Sequence, residues 1–109
     1  MEHRLGRRVA TCDPVHLLSP SGDVTEATLT NLSLSGAFVR TAVPAPDLST
    51  LHVVMSCEIG SRRREAILMA HVVRRCAGGL GIEWSILAPP LVQARLQELG
   101  RKPRGSDGD

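Results

Sequence analysis

The stretch VTEATLTNLSLSGAFVRT, Val24 to Thr41, decides the fold. Its first half alternates, with Ala27 and Leu29 on one side and Glu26, Thr28 and Thr30 on the other, as a half-buried β-strand requires. A second strand pattern resumes at Gly36-Ala-Phe-Val-Arg-Thr41. Between them lies a polar notch in which Asn31, Ser33 and Gly36 stand at the spacing [D/N]xSxxG. Short amide and hydroxyl side chains satisfy turn backbone groups, and glycine takes a positive φ without strain, so a chain reversal joining two strands is expected there.

Working outward, Val15–Leu18 is a short apolar run closed by the turn formers Ser-Pro-Ser-Gly-Asp, which predicts a strand and a hairpin. After the second strand, Pro44 and Pro46 in VPAPD break the pattern, because proline cannot donate to a central ladder. Leu51, Val53, Met55 and Cys57 share one face of the next strand, and Glu65–Arg75 continues after the connection SRRR, so the two predict a long hairpin. In GGLGIEWS, Leu80, Ile82 and Trp84 alternate with small or charged residues, and the glycines permit close backbone approach or a bulge.

The period then changes. In APPLVQARLQELG, Val92, Leu96 and Leu99 fall on one helical face; Pro89 or Pro90 suits a first turn and Gly100 a C-terminal stop. Residues 101–109, RKPRGSDGD, carry nothing to bury and are expected to be a disordered tail. Closely spaced strands followed by one amphipathic helix favour a mainly β fold: an antiparallel barrel covered by one helix, with a split α+β sandwich as the alternative.

Composition bounds the function. At 109 residues the chain holds one domain, and 42% hydrophobic with 22% charged residues suits a soluble globular protein. One Phe, one Trp and no Tyr argue against a single-stranded nucleic-acid surface, which stacks bases on several exposed rings. Arg62, Arg63, Arg64, Arg74 and Arg75 would make a basic patch for nucleic acid if they shared one end of the hairpin.

Cys12, Cys57 and Cys76, like the four histidines, are dispersed in no metal-ligand spacing; the cysteines read as small core residues in a reducing compartment. No catalytic constellation is visible, and no apolar run approaches the ~18 residues of a membrane span, so a cytoplasmic non-enzyme is expected. Nearly all the positive charge is arginine, with Lys102 the only lysine. Arginine presents a planar fork that fits phosphates and the Hoogsteen edge of guanine.

One further motif sits upstream. Arg4 and Arg8 form RxxxR, with Arg7 between them able to substitute for either. RxxxR in an extended N-terminal segment, then a strand and hairpin, then [D/N]xSxxG at a strand junction resembles the PilZ domain family of bacterial cyclic di-GMP receptors. GAFVRT, the VVRR strand ending and GGLGIEW before a terminal helix also look like the family's later strands. The resemblance covers roughly residues 4 to 99.

The resemblance implies a six-stranded antiparallel barrel with a C-terminal helix, spanning residues 1–100 with 1–10 as a flexible ligand-binding segment. It implies cyclic di-GMP as ligand, with no resident cofactor, and a site built from Arg4, Arg7, Arg8, Asn31, Ser33 and Gly36. The arginines would take phosphates or guanine edges, Asn31 and Ser33 would supply polar contacts from the barrel surface, and Gly36 would shape the turn. Asn31 stands where Asp is commoner, and Ser35 where a second glycine is frequent. A stand-alone receptor would relay the signal to a downstream protein. The family also contains interaction adaptors that bind no nucleotide, and a homodimer through the terminal helix is compatible with the sequence.

Overall fold

The computed structural model describes residues 7–41 and 50–101. Six strands, β1 (Val9–Leu18), β2 (Val24–Leu32), β3 (Gly36–Arg40), β4 (Thr50–Ile59), β5 (Arg62–Cys76) and β6 (Gly79–Trp84), precede one helix, α1 (Pro90–Arg101). They close into a barrel in the order β1-β2-β3-β6-β5-β4, every neighbouring pair antiparallel. Each strand pairs with two neighbours, β1 with β4 over four residues, so the ring closes and excludes the open sandwich.

The alternation read from the sequence is what fills the interior. Leu51, Val53, Met55 and Cys57 of β4 meet Leu29, Val39, Leu68, Val72, Leu80 and Ile82 in one continuous core. Most of these side chains are almost wholly shielded, each stabilising the barrel by about 1.5–3 kcal/mol relative to exposure. In β2, Leu29 and Leu32 are both fully buried although they lie three residues apart, which strict alternation forbids. A bulge resolves this: Leu29 pairs with Val39 but Asn31 with Phe38, leaving Thr30 as the extra residue. The same shift turns Asn31 toward its neighbours' backbone at the head of the notch.

Helix α1 closes one end. Leu91 and Val92 are buried, and Leu96 and Leu99 pack on the core from the same face. The described helix runs to Arg101, one residue past Gly100.

Several local expectations are corrected. β1 begins at Val9, ahead of the Val15–Leu18 run, because the polar residues between them pair with β2 across a second bulge. The β4–β5 turn is Gly60-Ser61 alone: Ile59 pairs with Arg62, and Gly60 carries φ 66 in a two-residue hairpin that selects glycine there. Arg62–Arg64 therefore start β5 while Arg74 and Arg75 end it, roughly 30 Å apart along an extended strand, so the five arginines form no single patch. Pro44 and Pro46, Arg4 and the tail at 102–109 lie outside the described residues.

Of the cysteines only Cys57 is a core residue; Cys12 and Cys76 are exposed. Burial pushes the Cys57 thiol up, against a smaller opposing effect of Arg95. Iodoacetamide at neutral pH should therefore label Cys12 and Cys76 in the native protein, with Cys57 reacting only on unfolding, as intact-mass spectrometry would resolve. Equal labelling of all three would contradict the barrel packing.

Candidate ligand-binding site

The notch Asn31–Gly36 is a compact loop organised by its own polar atoms. Ser33 is fully buried, and its N–H donates to Gly36 O at 2.8 Å. Its hydroxyl accepts from the N–H of Gly36 at 3.1 Å and of Ser35 at 3.3 Å, and lies 3.2 Å from Gly36 O as a donor. Ser33 thus does not stand on the barrel surface, where the family resemblance put it: its hydroxyl serves the turn backbone, as the residue types at the notch led one to expect. Ser33→Ala leaves two backbone donors without that acceptor and should cost about 1–3 kcal/mol, visible as a lower Tm.

Gly36 is also required for a reason other than the one read from the sequence. It is absent from the glycines with positive φ, which are Gly22, Gly60 and Gly78. Instead it pairs with Glu83, and a Cβ on it would fall 2.1 Å from Ile82 O. The β3–β6 seam admits only glycine at that point.

Asn31 caps the β2 bulge. Its Oδ1 accepts from Phe38 N–H at 3.0 Å, taking up a donor at the bulged Asn31–Phe38 step. The same oxygen accepts from Arg8 Nη1 at 2.7 Å. This bond spans 23 residues of sequence and brings the end of the upstream arginine motif onto the notch. Arg7 and Arg8 are both exposed, immediately before β1.

Along the barrel wall from Asn31 the register gives in turn Phe38 on β3, Gly81 on β6 and Arg74 on β5. Arg74 Nε lies 3.7 Å from where a Cβ on Gly81 would project, and the Phe38 ring occupies the space a Cβ on Gly79 would need. Two glycines therefore leave a floor without side chains between an aromatic ring and a guanidinium. The sequence reading did not place Arg74 beside this surface because its neighbours in sequence, not its partners across strands, set that reading. The signal was the pair Gly79 and Gly81 on the strand antiparallel to it.

A cleft of ≈ 670 Å³ on the outer face, lined among others by His16, Glu26, Thr28 and Arg40, includes neither Arg8 nor Asn31. Among the described residues no group of His, Cys, Asp and Glu could hold a metal ion, and no helix is long and apolar enough to cross a membrane.

The arrangement agrees with the comparison of the sequence with family models, in which the PilZ domain model matches residues 2–99. The chain belongs to the PilZ domain family. PilZ domains are typically non-enzymatic receptor or adaptor domains. Among solved structures, the PilZ domain of CeSA from a cellulose-synthesizing bacterium matches with TM-score 0.67 and 19% identity, over 87% of this chain and 96% of that one. The Bacillus subtilis inhibitor of motility MotI/DgrA matches with TM-score 0.77 and 17% identity, over 99% of this chain and 55% of that one. This PilZ domain thus spans little more than half the length of that protein. At such identities the two share its fold. No curated protein matches the sequence.

Proposed function

We propose that this PilZ domain is a receptor for cyclic di-GMP that relays the messenger's presence to a partner protein in the cytoplasm. The observation that carries the reading is the Arg8–Asn31 bond, which joins the two ligand motifs on one surface. Cyclic di-GMP presents two phosphates and two guanines, so its receptor needs anion binding and guanine-edge recognition side by side. Arginine forks serve both, through bidentate contacts to phosphate or to guanine O6 and N7. Arg4, Arg7 and Arg8 supply the forks, and Asn31 fixes Arg8 and offers its amide to the ligand. Ser33 and Gly36 hold the loop backbone that carries Asn31. Phe38 and Arg74 extend the surface over the Gly79–Gly81 floor. The messenger is a ligand and not a resident cofactor, and the relay needs no covalent step.

Ligand binding to the native state alone stabilises it by mass action. At a concentration 100 times Kd, cyclic di-GMP should add about 2.7 kcal/mol and raise Tm, while GTP leaves it unchanged. An unchanged Tm with saturating cyclic di-GMP would remove the receptor reading.

A second reading, a protein-interaction adaptor without nucleotide, is favoured by one observation: Ser33 and the Asn31 oxygen already have structural work inside the fold. Capture of the same partner with and without cyclic di-GMP would support it.

A further inference from the structure

α1 is linked to the notch through Ala88, and to β1 just downstream of the arginine motif through Asp13. On the notch side, three consecutive carbonyls meet the end of β6 and the connection that follows it into the helix. Ser33 O accepts from Trp84 Nε1 at 3.2 Å, Leu34 O from Ala88 N–H at 2.9 Å and Ser35 O from Trp84 N–H at 3.0 Å. Ala88 has φ 55, the only non-glycine in the left-handed region among the described residues. It is held there from both sides, since its own carbonyl accepts from Gln93 Nε2 of α1 at 2.7 Å. A strained residue persists only where its surroundings over-determine it, and here one of the two bonds that do so comes from the ligand motif.

On the arginine side, β1 pairs with β4 only from Val15 to Leu18. Nearer Arg8 the two strands part, and Arg95 of α1 enters the gap. Arg95 donates from Nε to Asp13 Oδ2 at 3.0 Å and from Nη2 to Asp13 Oδ1 at 2.8 Å, and its Nη2 reaches Thr11 Oγ1 at 3.5 Å. Asp13 is buried, and the pair lines a cleft of ≈ 530 Å³ together with Cys57, Glu58 and Glu98. A bidentate pair of this kind is directional as well as strong, so it transmits position and not merely attraction. The gripped residues follow Arg8 by only a few positions, across the β1 bulge.

The geometry points to α1 as the element that reports ligand occupancy, reading the notch through the Ala88 hinge and the arginine segment through the Arg95 grip. This rests on the receptor reading above and adds the part that moves. When a dinucleotide binds on the surface formed by Arg8 and Asn31, the Leu34–Ala88 and Asp13–Arg95 attachments shift together, and α1 changes its hold on the barrel end. By linkage the coupling is reciprocal: the factor by which binding shifts the docking of α1 is the factor by which docking shifts ligand affinity.

The test is hydrogen exchange of the full chain with and without cyclic di-GMP, with saturation established by calorimetry on the same sample. Amides of residues 88–101 in the wild type should change exchange rate at least fivefold on binding. Arg95→Met should shift cyclic di-GMP affinity at least threefold although Arg95 touches no ligand, and Gln93→Ala, which leaves the ion pair intact, should do so through the hinge. Saturating heat of binding with unchanged exchange over 88–101 overturns the coupling alone. Absence of any binding heat from the folded wild type overturns the coupling and the receptor reading together.

Discussion

Gly36→Ala is expected to destabilise the barrel by about 3 kcal/mol or more, from strain of the overpacking kind at a point with no slack. An added Cβ would sit 2.1 Å from Ile82 O and 3.1 Å from Glu83 Cα, and both are backbone atoms. A flexible side chain could move aside; a paired strand cannot without parting the β3–β6 ladder that closes the ring. For a domain of this size the loss corresponds to a Tm lower by more than about 10 °C, read by circular dichroism or calorimetry. Gly100→Ala is the control. It is the same chemical change on a helix with nothing within 4 Å, where alanine is preferred and Tm should hold or rise slightly. Equal, small effects of the two substitutions would contradict the close approach at Gly36.

Arg8→Ala should weaken cyclic di-GMP binding by about one to two decades, the loss of one charge-assisted contact worth ~1.5–3 kcal/mol. The same substitution should leave thermal stability within about 0.5 kcal/mol, because Arg8 is exposed and precedes the first strand. Binding and folding are thereby separated in one variant. Arg8→Lys sharpens the point: it keeps the charge and removes the planar fork, so most of the affinity should still be lost. Wild-type affinity for either variant, measured by titration calorimetry, would take Arg8 out of the site.

Strand identity was legible wherever one face is buried, because alternation is then forced by burial; β4, with Leu51, Val53, Met55 and Cys57 inside, is the plainest case. The bulges were not legible. Thr30 and Val73 look like ordinary strand residues, and only the cross-strand register shows that each is the extra one. The notch illustrates both sides of this. Its residue types announced a chain reversal, yet the reason for Gly36 is a carbonyl on β6, a partner 46 residues away that no local pattern contains. Ser33 was legible as a turn hydroxyl that satisfies backbone amides, as it does for Ser35 and Gly36; its place on the barrel surface was implied only by the family resemblance, and the inward turn of that hydroxyl departs from it. Arg95 and Asp13 carried no signal at all, being ordinary charges 82 residues apart until α1 folds back onto β1. The arginine motif was legible as a pattern, and its meeting with Asn31 required the three-dimensional register.

Whether the two sequence motifs form one cyclic di-GMP surface is read by calorimetric titration. Cyclic di-GMP is titrated into the folded protein at near-physiological salt, with GTP and cyclic di-AMP as controls. Selective, saturable heat at low micromolar affinity or tighter is the predicted result. No heat, or equal heat from cyclic di-AMP, would contradict it and leave Asn31, Ser33 and Gly36 as residues that only join two strands.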